Sequence, residues 1–167
     1  AILCLPDSAA KEAVTMVENG RVRVIDASTA HRTAPGWLYG FPELQENGFQ
    51  KLQAAKRVSV PGCHASGFLA LVVPLVQSGI LKKDSLLSCT SLTGYTGGGR
   101  RMIAHYEADY RDVQLKAPRL YALGQEHKHL PEMLHYSGLE TAPAFLPVVA
   151  DYACGMLTMI PVFSGQL

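Results

Sequence analysis

The sequence predicts an α/β fold built on a parallel sheet over its first part, passing into an α+β fold in its later part. Three observations carry this. The first 26 residues hold an apolar run, a helix-period segment and a second strand-like run, the order of a βαβ-type unit. Two further strand-like runs each lead through a glycine-containing turn into a helical pattern. Beyond Tyr121, strand-like runs instead gather behind one short helix.

Residues 1–5, AILCL, read as a buried strand of a doubly wound sheet. Pro6-Asp7-Ser8 turns into AAKEAVTMVEN, whose apolar residues recur at helical spacing; Asp7 or Ser8 suits the N-cap and Gly20 the stop. RVRVID, residues 21–26, is the second strand. Residues 27–48, rich in Pro, Gly, Ser and Thr, read as a long surface connection, the kind of loop that usually serves function. A short helix over 49–56 and a strand over 57–60 follow. The nearly all-apolar helix expected over 67–77 contains Pro74, which predicts a kink or an early break. A strand over 86–93 leads through a glycine-rich loop into RRMIAHYEADY. Last come a short helix from HKHLPEM, with Pro131 at its first position, and two strand-like runs, AFLPVV and GMLTMIPVF.

The 167 residues are 48% hydrophobic and 17% charged, with net charge +1, a globular composition. The longest basic clusters are pairs such as Arg100-Arg101, so no electrostatic footprint for nucleic acid or an anionic membrane is present. No apolar run approaches the roughly 20 residues that span a bilayer. Cys4, Cys63, Cys89 and Cys154 lie far apart without a CxxC pair, a spacing that suits reduced thiols in the cytoplasm. The chain opens without methionine inside a strand pattern and stops soon after another. A piece of a longer polypeptide is expected.

Four constellations carry chemistry. In Val60-Pro61-Gly62-Cys63 a tight turn sets one thiol just ahead of a helix, where unpaired N–H groups and the dipole favour thiolate. Gly62 allows close approach to the backbone, and neighbouring N–H groups suit an oxyanion. Cys4, Cys89 and Cys154 lack that setting and read as structural. His127-Lys128-His129-Leu130-Pro131-Glu132 offers an imidazole to exchange a proton with the thiol, and Glu132 to orient it. In an extended stretch His127 and His129 point the same way. The alternatives are a surface polar turn or a metal site, for which no third ligand lies nearby in sequence and Cys63 would have to serve. Thr93-Gly94-Tyr95-Thr96-Gly97-Gly98-Gly99 presents backbone N–H groups to an anion or a flat cofactor, or is a plain turn. It is neither a G-x-G-x-x-G fingerprint nor a P-loop. Asp26 to Arg32 follows the second strand, where ligands of open parallel sheets bind; Arg32 suits a bidentate phosphate contact or a solvated loop.

Together these stretches resemble the N-acetyl-gamma-glutamyl-phosphate reductase family, in its shorter, second type. Pro61-Gly62-Cys63 is similar to the family's reactive turn, and Asp26 to Arg32 resembles its D-x-S-x-x-x-R stretch. Tyr39-Gly40-Phe41-Pro42-Glu43, the Thr93–Gly99 loop and His127–Glu132 match three further motifs in order. His64 stands where the family usually has tyrosine, and Thr93 and Thr96 where serines are common.

The resemblance implies a Rossmann-like NADP-binding part over residues 1–62, then a glyceraldehyde-3-phosphate-dehydrogenase-like catalytic and dimerisation part over 63–167. It implies that the family's first glycine-rich turn and its C-terminal return segment are missing, so that this piece alone is expected to bind NADP weakly or not at all. The implied reaction is NADPH-dependent reduction of N-acetyl-L-glutamyl 5-phosphate to the semialdehyde, in arginine biosynthesis. Cys63 would be the nucleophile, His129 or else His127 the acid/base, and Glu132 the orienting group. Arg32 and Thr93 would bind substrate, and Pro6, Ser28, Thr96, Gly97 and Gly98 the cofactor, with no metal. The implied partners are a small acyl phosphate and further copies of the chain, without nucleic acid or membrane. A related semialdehyde dehydrogenase, or a cysteine hydrolase or acyltransferase using the same Cys/His pair, is the alternative.

Overall fold

The computed structural model describes residues 1–166, so Leu167, the end of the second expected part, lies outside the described residues. Two four-stranded sheets organise the chain. The first joins β1 (Ile2–Leu3), β2 (Val24–Asp26), β4 (Arg57–Ser59) and β3 (Leu38–Tyr39), in that order and all parallel. Helix α1 (Asp7–Thr15) makes the crossover from β1 to β2.

The N-cap of α1 is Pro6, with no side-chain cap bond. Asp7 instead turns its carboxylate to Thr29, accepting from both its backbone N–H and its hydroxyl. The expected cap therefore works as a staple between the helix start and the loop after β2. That loop is also less open than its composition suggests. It returns as β3, pairs with β4, and enters a short 3-10 turn (Pro42–Leu44) and helix α2 (Gly48–Ala54). A two-residue strand between Trp37 and Gly40 carries too little periodicity to be read from sequence.

Helix α3 (Cys63–Gln77) starts four residues earlier than the apolar pattern implies and is not broken by Pro74. The missing N–H of Pro74 removes one bond, to Ala70, and Ala70 is exposed, so water can take that carbonyl. Ala65, Phe68, Leu69, Val72 and Val73 form its buried stripe, the i, i+3, i+4 spacing of a core-facing helix. They pack with Cys89, Phe145, Leu130 and Met133 in the main core. Phe68 and Leu69 are fully buried, a burial that contributes about 1.5–3 kcal/mol per side chain.

The second sheet runs β6 (Arg119–Leu120), β7 (Ala144–Ala150), β5 (Ser88–Gly94), β8 (Met156–Met159). Strands β5 and β7 are parallel from Ser88↔Ala144 to Gly94↔Ala150, while β6 and β8 are antiparallel at the two edges. Strand β6 is again two residues long and was not legible in the sequence. Strand β8 ends at Met159, before Pro161, which lacks the N–H for a ladder bond. Between β5 and β7 lie α4 (Gly99–Tyr106) and α5 (Leu130–Ser137), the latter with Pro131 as its second residue and Gly138 as a left-handed cap at φ 79°. Among the described residues no helix is long and apolar enough to cross a membrane.

Candidate active site

The turn between β4 and α3 makes Cys63 the first residue of the helix, with Gly62 as its N-cap. The thiol is exposed. It opens onto a cleft of about 170 Å³ lined by Arg32, His64, Thr93, Gly97, Tyr121 and the His127–His129 turn. Residues more than 60 positions apart thus share one cleft with this thiol.

Gly62 shows how tightly they meet. A Cβ there would fall 2.4 Å from Glu132 Oε1, 2.5 Å from Arg32 Nη1 and 2.5 Å from His129 Nε2. Its φ of −74° is open to any residue; the requirement is space. The Gly62 N–H donates to Glu132 Oε2 at 3.0 Å, and its carbonyl accepts from the N–H and hydroxyl of Ser66.

Glu132, 1% exposed, does not hydrogen-bond an imidazole as expected; its oxygens are held by other groups. Oε1 accepts from Arg32 Nη1 at 2.7 Å, and Oε2 from the Tyr39 hydroxyl at 2.6 Å besides Gly62. Its first-turn position on α5 aims the carboxylate at the reactive turn, 70 residues back. Burial, then the Glu132 charge, push the Tyr39 phenol far above its ordinary range, so Tyr39 stays a donor.

Arg32 is also fixed by Nε to the Val60 carbonyl at 2.9 Å, and its own carbonyl accepts from the Tyr136 hydroxyl. Two of its five N–H bonds are spent on the protein, and the residue lines the cleft. Just ahead of it His31 binds Asp26 at 2.6 Å and stacks on Trp37 at 4.1 Å between centroids. Burial opposes the Asp26 charge, but hydrogen bonds from His31 and Ser28 outweigh it and hold its carboxyl low. The base of the arginine loop is thereby pinned.

The three imidazoles at the cleft are neutral near pH 7. Burial, then His127, Arg32, His64 and Lys128, push His129 down to about 2. Burial and His127 push His64 down to about 4. His127 is lowered by burial, Lys128 and Arg32. The segment is a turn, not an extended strand, and the His129 N–H donates to His127 Nδ1 at 3.1 Å. That bond occupies one nitrogen of His127, whereas His129 Nδ1 has no partner among the described residues. His129 is therefore the ring with capacity to spare. With Arg32 and Lys128 as the charged groups on its wall, the cleft suits an anion.

A family model described as semialdehyde dehydrogenase, dimerisation domain, matches residues 63–166. The chain belongs to this semialdehyde dehydrogenase family. Proteins named N-acetyl-gamma-glutamyl-phosphate reductase are similar across the whole chain: 47% identical in Sinorhizobium medicae, over 100% of the chain and 54% of that protein. In Rhizobium meliloti the figures are 48%, 100% and 54%, and in Trichormus variabilis 46%, 97% and 52%. The chain spans about half the length of these relatives. A crystal structure of aspartate semialdehyde dehydrogenase II from Vibrio cholerae superposes with a TM-score of 0.70 at 13% identity, over 96% of this chain and 54% of that one. It speaks for the fold alone. The resemblance read from the motifs is borne out, and the semialdehyde dehydrogenase fold with it.

Of the expected site residues, the cleft gathers Cys63, Arg32, Thr93, Gly97, His127 and His129. It does not gather Pro6, Ser28, Thr96 or Gly98. The Ser28 hydroxyl donates to Asp26 at 2.7 Å, and Thr96 donates to the Ala153 carbonyl at 2.5 Å. Gly98 faces a separate hollow beside Arg101, His105 and Arg119. Pro6 and Ser28 follow the carboxyl ends of β1 and β2. Sequence reasoning assigned no role to Tyr39, Lys128 or Tyr121, nor a wall position to His64. Tyr39 sat inside a motif and Lys128 between two histidines; Tyr121 had no sequence signal at all.

Proposed function

We infer that the full-length protein reduces N-acetyl-L-glutamyl 5-phosphate to the 5-semialdehyde and phosphate, a step of arginine biosynthesis in the cytoplasm. One observation carries this reading: a helix-start thiol, a guanidinium and a spare imidazole share a small cationic cleft, in a chain 47% identical to reductases of that name. The Cys63 thiolate attacks the acyl carbon, the C–O bond to phosphate breaks, and a thioester on Cys63 remains. Arg32 and Lys128 hold the phosphoryl oxygens as phosphate leaves. His129, or else His127, passes the proton to and from the carbonyl oxygen. Burial and neighbouring positive charge keep the His129 ring neutral in the free site, so it takes a proton only once the anionic acyl phosphate lies beside it and offsets that charge.

The residues present fit a nicotinamide. Gly97 turns bare backbone to the cleft, and a Cβ there would crowd Thr93 Oγ1 at 3.0 Å. Gly97 and Thr93 would hold the ring on one side, and the strand ends at Pro6 and Ser28 would carry the rest, with NADP the form proposed. When bound, NADPH supplies the hydride that reduces the thioester. Residues 1–62 would form part of the cofactor-binding domain and 63–167 part of the catalytic and dimerisation domain, in a homo-oligomer. A sheet-end cleft with a glycine backbone wall favours reduction over plain hydrolysis.

The test is phosphate-dependent formation of NADPH by the full-length protein given the semialdehyde and NADP. Release of acid without any change in NADP would identify a hydrolase instead.

A further inference from the structure

His64 directly follows the nucleophile and is 3% exposed, yet the chemistry above gives it no task. Its two nitrogens are both engaged. Nδ1 lies 2.7 Å from Ser91 Oγ and Nε2 lies 2.8 Å from the Tyr121 hydroxyl. Ser91 Oγ is in turn 3.3 Å from Thr158 Oγ1. A chain of four groups thus runs from β8 through β5 and α3 to Tyr121, which lines the cleft beside Cys63. Burial, then the Cys63 charge, push the Tyr121 phenol up to about 12, so it keeps its proton.

A neutral imidazole has one N–H and one lone pair. With the proton on Nδ1, Tyr121 must donate to Nε2, and its hydrogen points away from the cleft. With the proton on Nε2, Ser91 donates to Nδ1, Nε2–H donates to the Tyr121 oxygen, and the phenolic hydrogen is free. In that arrangement every donor along the chain points toward the cleft. Aligned donors polarise one another and are complementary to negative charge arising there. We propose that Tyr121 donates a hydrogen bond to the oxygen that turns negative on the acyl group carried by Cys63, and that His64 is the positioning residue that leaves its hydrogen free to do so. This rests on the reductase reading.

The test uses the full-length enzyme, with kcat and KM for the acyl phosphate measured separately. Tyr121→Phe, which preserves shape, is expected to lower kcat about 100-fold, as loss of one oxyanion donor does, with KM changed less than about threefold. His64→Leu is expected to do the same, and the double variant to be no worse than either single one, because the two act as a unit. His64→Gln places an amide donor near Nε2 and is expected to recover most of kcat, whereas His64→Asn, which reaches only Nδ1, is not. Should His64→Leu fold poorly, the Gln and Asn pair still decides the matter. A Tyr121→Phe enzyme with kcat within about threefold of wild type overturns the proposal, as do multiplicative losses in the double variant. A wild type that does not reduce the acyl phosphate removes the reductase reading itself, and the proposal with it.

Discussion

Arg32 and Glu132 are 100 positions apart and meet at 2.7 Å, both almost wholly out of solvent. The pair joins the loop after β2 to the first turn of α5. A buried pair is weak evidence of stability in itself, but removing one partner strands the other.

Glu132→Gln is therefore expected to lower stability by about 3–5 kcal/mol, because the guanidinium loses its charge partner while the amide still reaches Tyr39. Urea denaturation of the full-length protein measures it. A loss below about 1 kcal/mol would mean that Arg32 finds water instead.

Gly62→Ala forces a methyl into space held by Glu132, Arg32 and His129. Activity is expected to fall at least about 100-fold, as a displacement of the reacting groups of order 1 Å does. Steady-state kinetics with a melting curve beside them provide the check, and near-normal turnover would contradict the convergence.

Cys63→Ser changes an exposed side chain, so stability should stay within about 0.5 kcal/mol of wild type. Turnover should drop at least about a thousandfold, since the hydroxyl lacks an activated anion. Intact-protein mass spectrometry would then find the acyl adduct on wild type and not on the variant.

Acid should weaken the fold from about pH 6.5 downward, starting above the ordinary carboxylate range. His64 and His129 hold folded-state values of about 4 and about 2 against an ordinary 6.5. Below 6.5 the unfolded chain binds protons that the folded chain refuses, so this stability is complete above 6.5 and is lost as pH falls, to about 4 for His64 and on to about 2 for His129. Asp26, held below 3.8, adds a loss of the same sign at still lower pH. Denaturation midpoints at pH 7.5, 5.5 and 4.5 should decline in order; a midpoint that rises toward pH 5 would refute the neutral-imidazole cluster.

Much of this was legible in the sequence. The strand–PGC–helix turn, the parallel βαβ beginning and the α+β character of the later part follow from apolar periodicity and turn residues, which are local signals. What failed was tertiary. Strands β3 and β6 have two residues each and exist only because a neighbouring strand completes them. The role of Glu132 was misread because spacing put it three residues from His129, while its carboxylate reaches Tyr39, Arg32 and Gly62 from other elements. Pro74 was read as a breaker, but a proline one turn from a helix end costs a single bond at an exposed carbonyl.

The Gly62 peptide has a last consequence. Its N–H is tied to the same carboxylate that restrains Arg32, so the loop that greets an incoming anion and the peptide that carries the sulfur share one fastening. Displacing either end of that fastening therefore strains the other: the guanidinium and the turn that bears Cys63 are held together or released together.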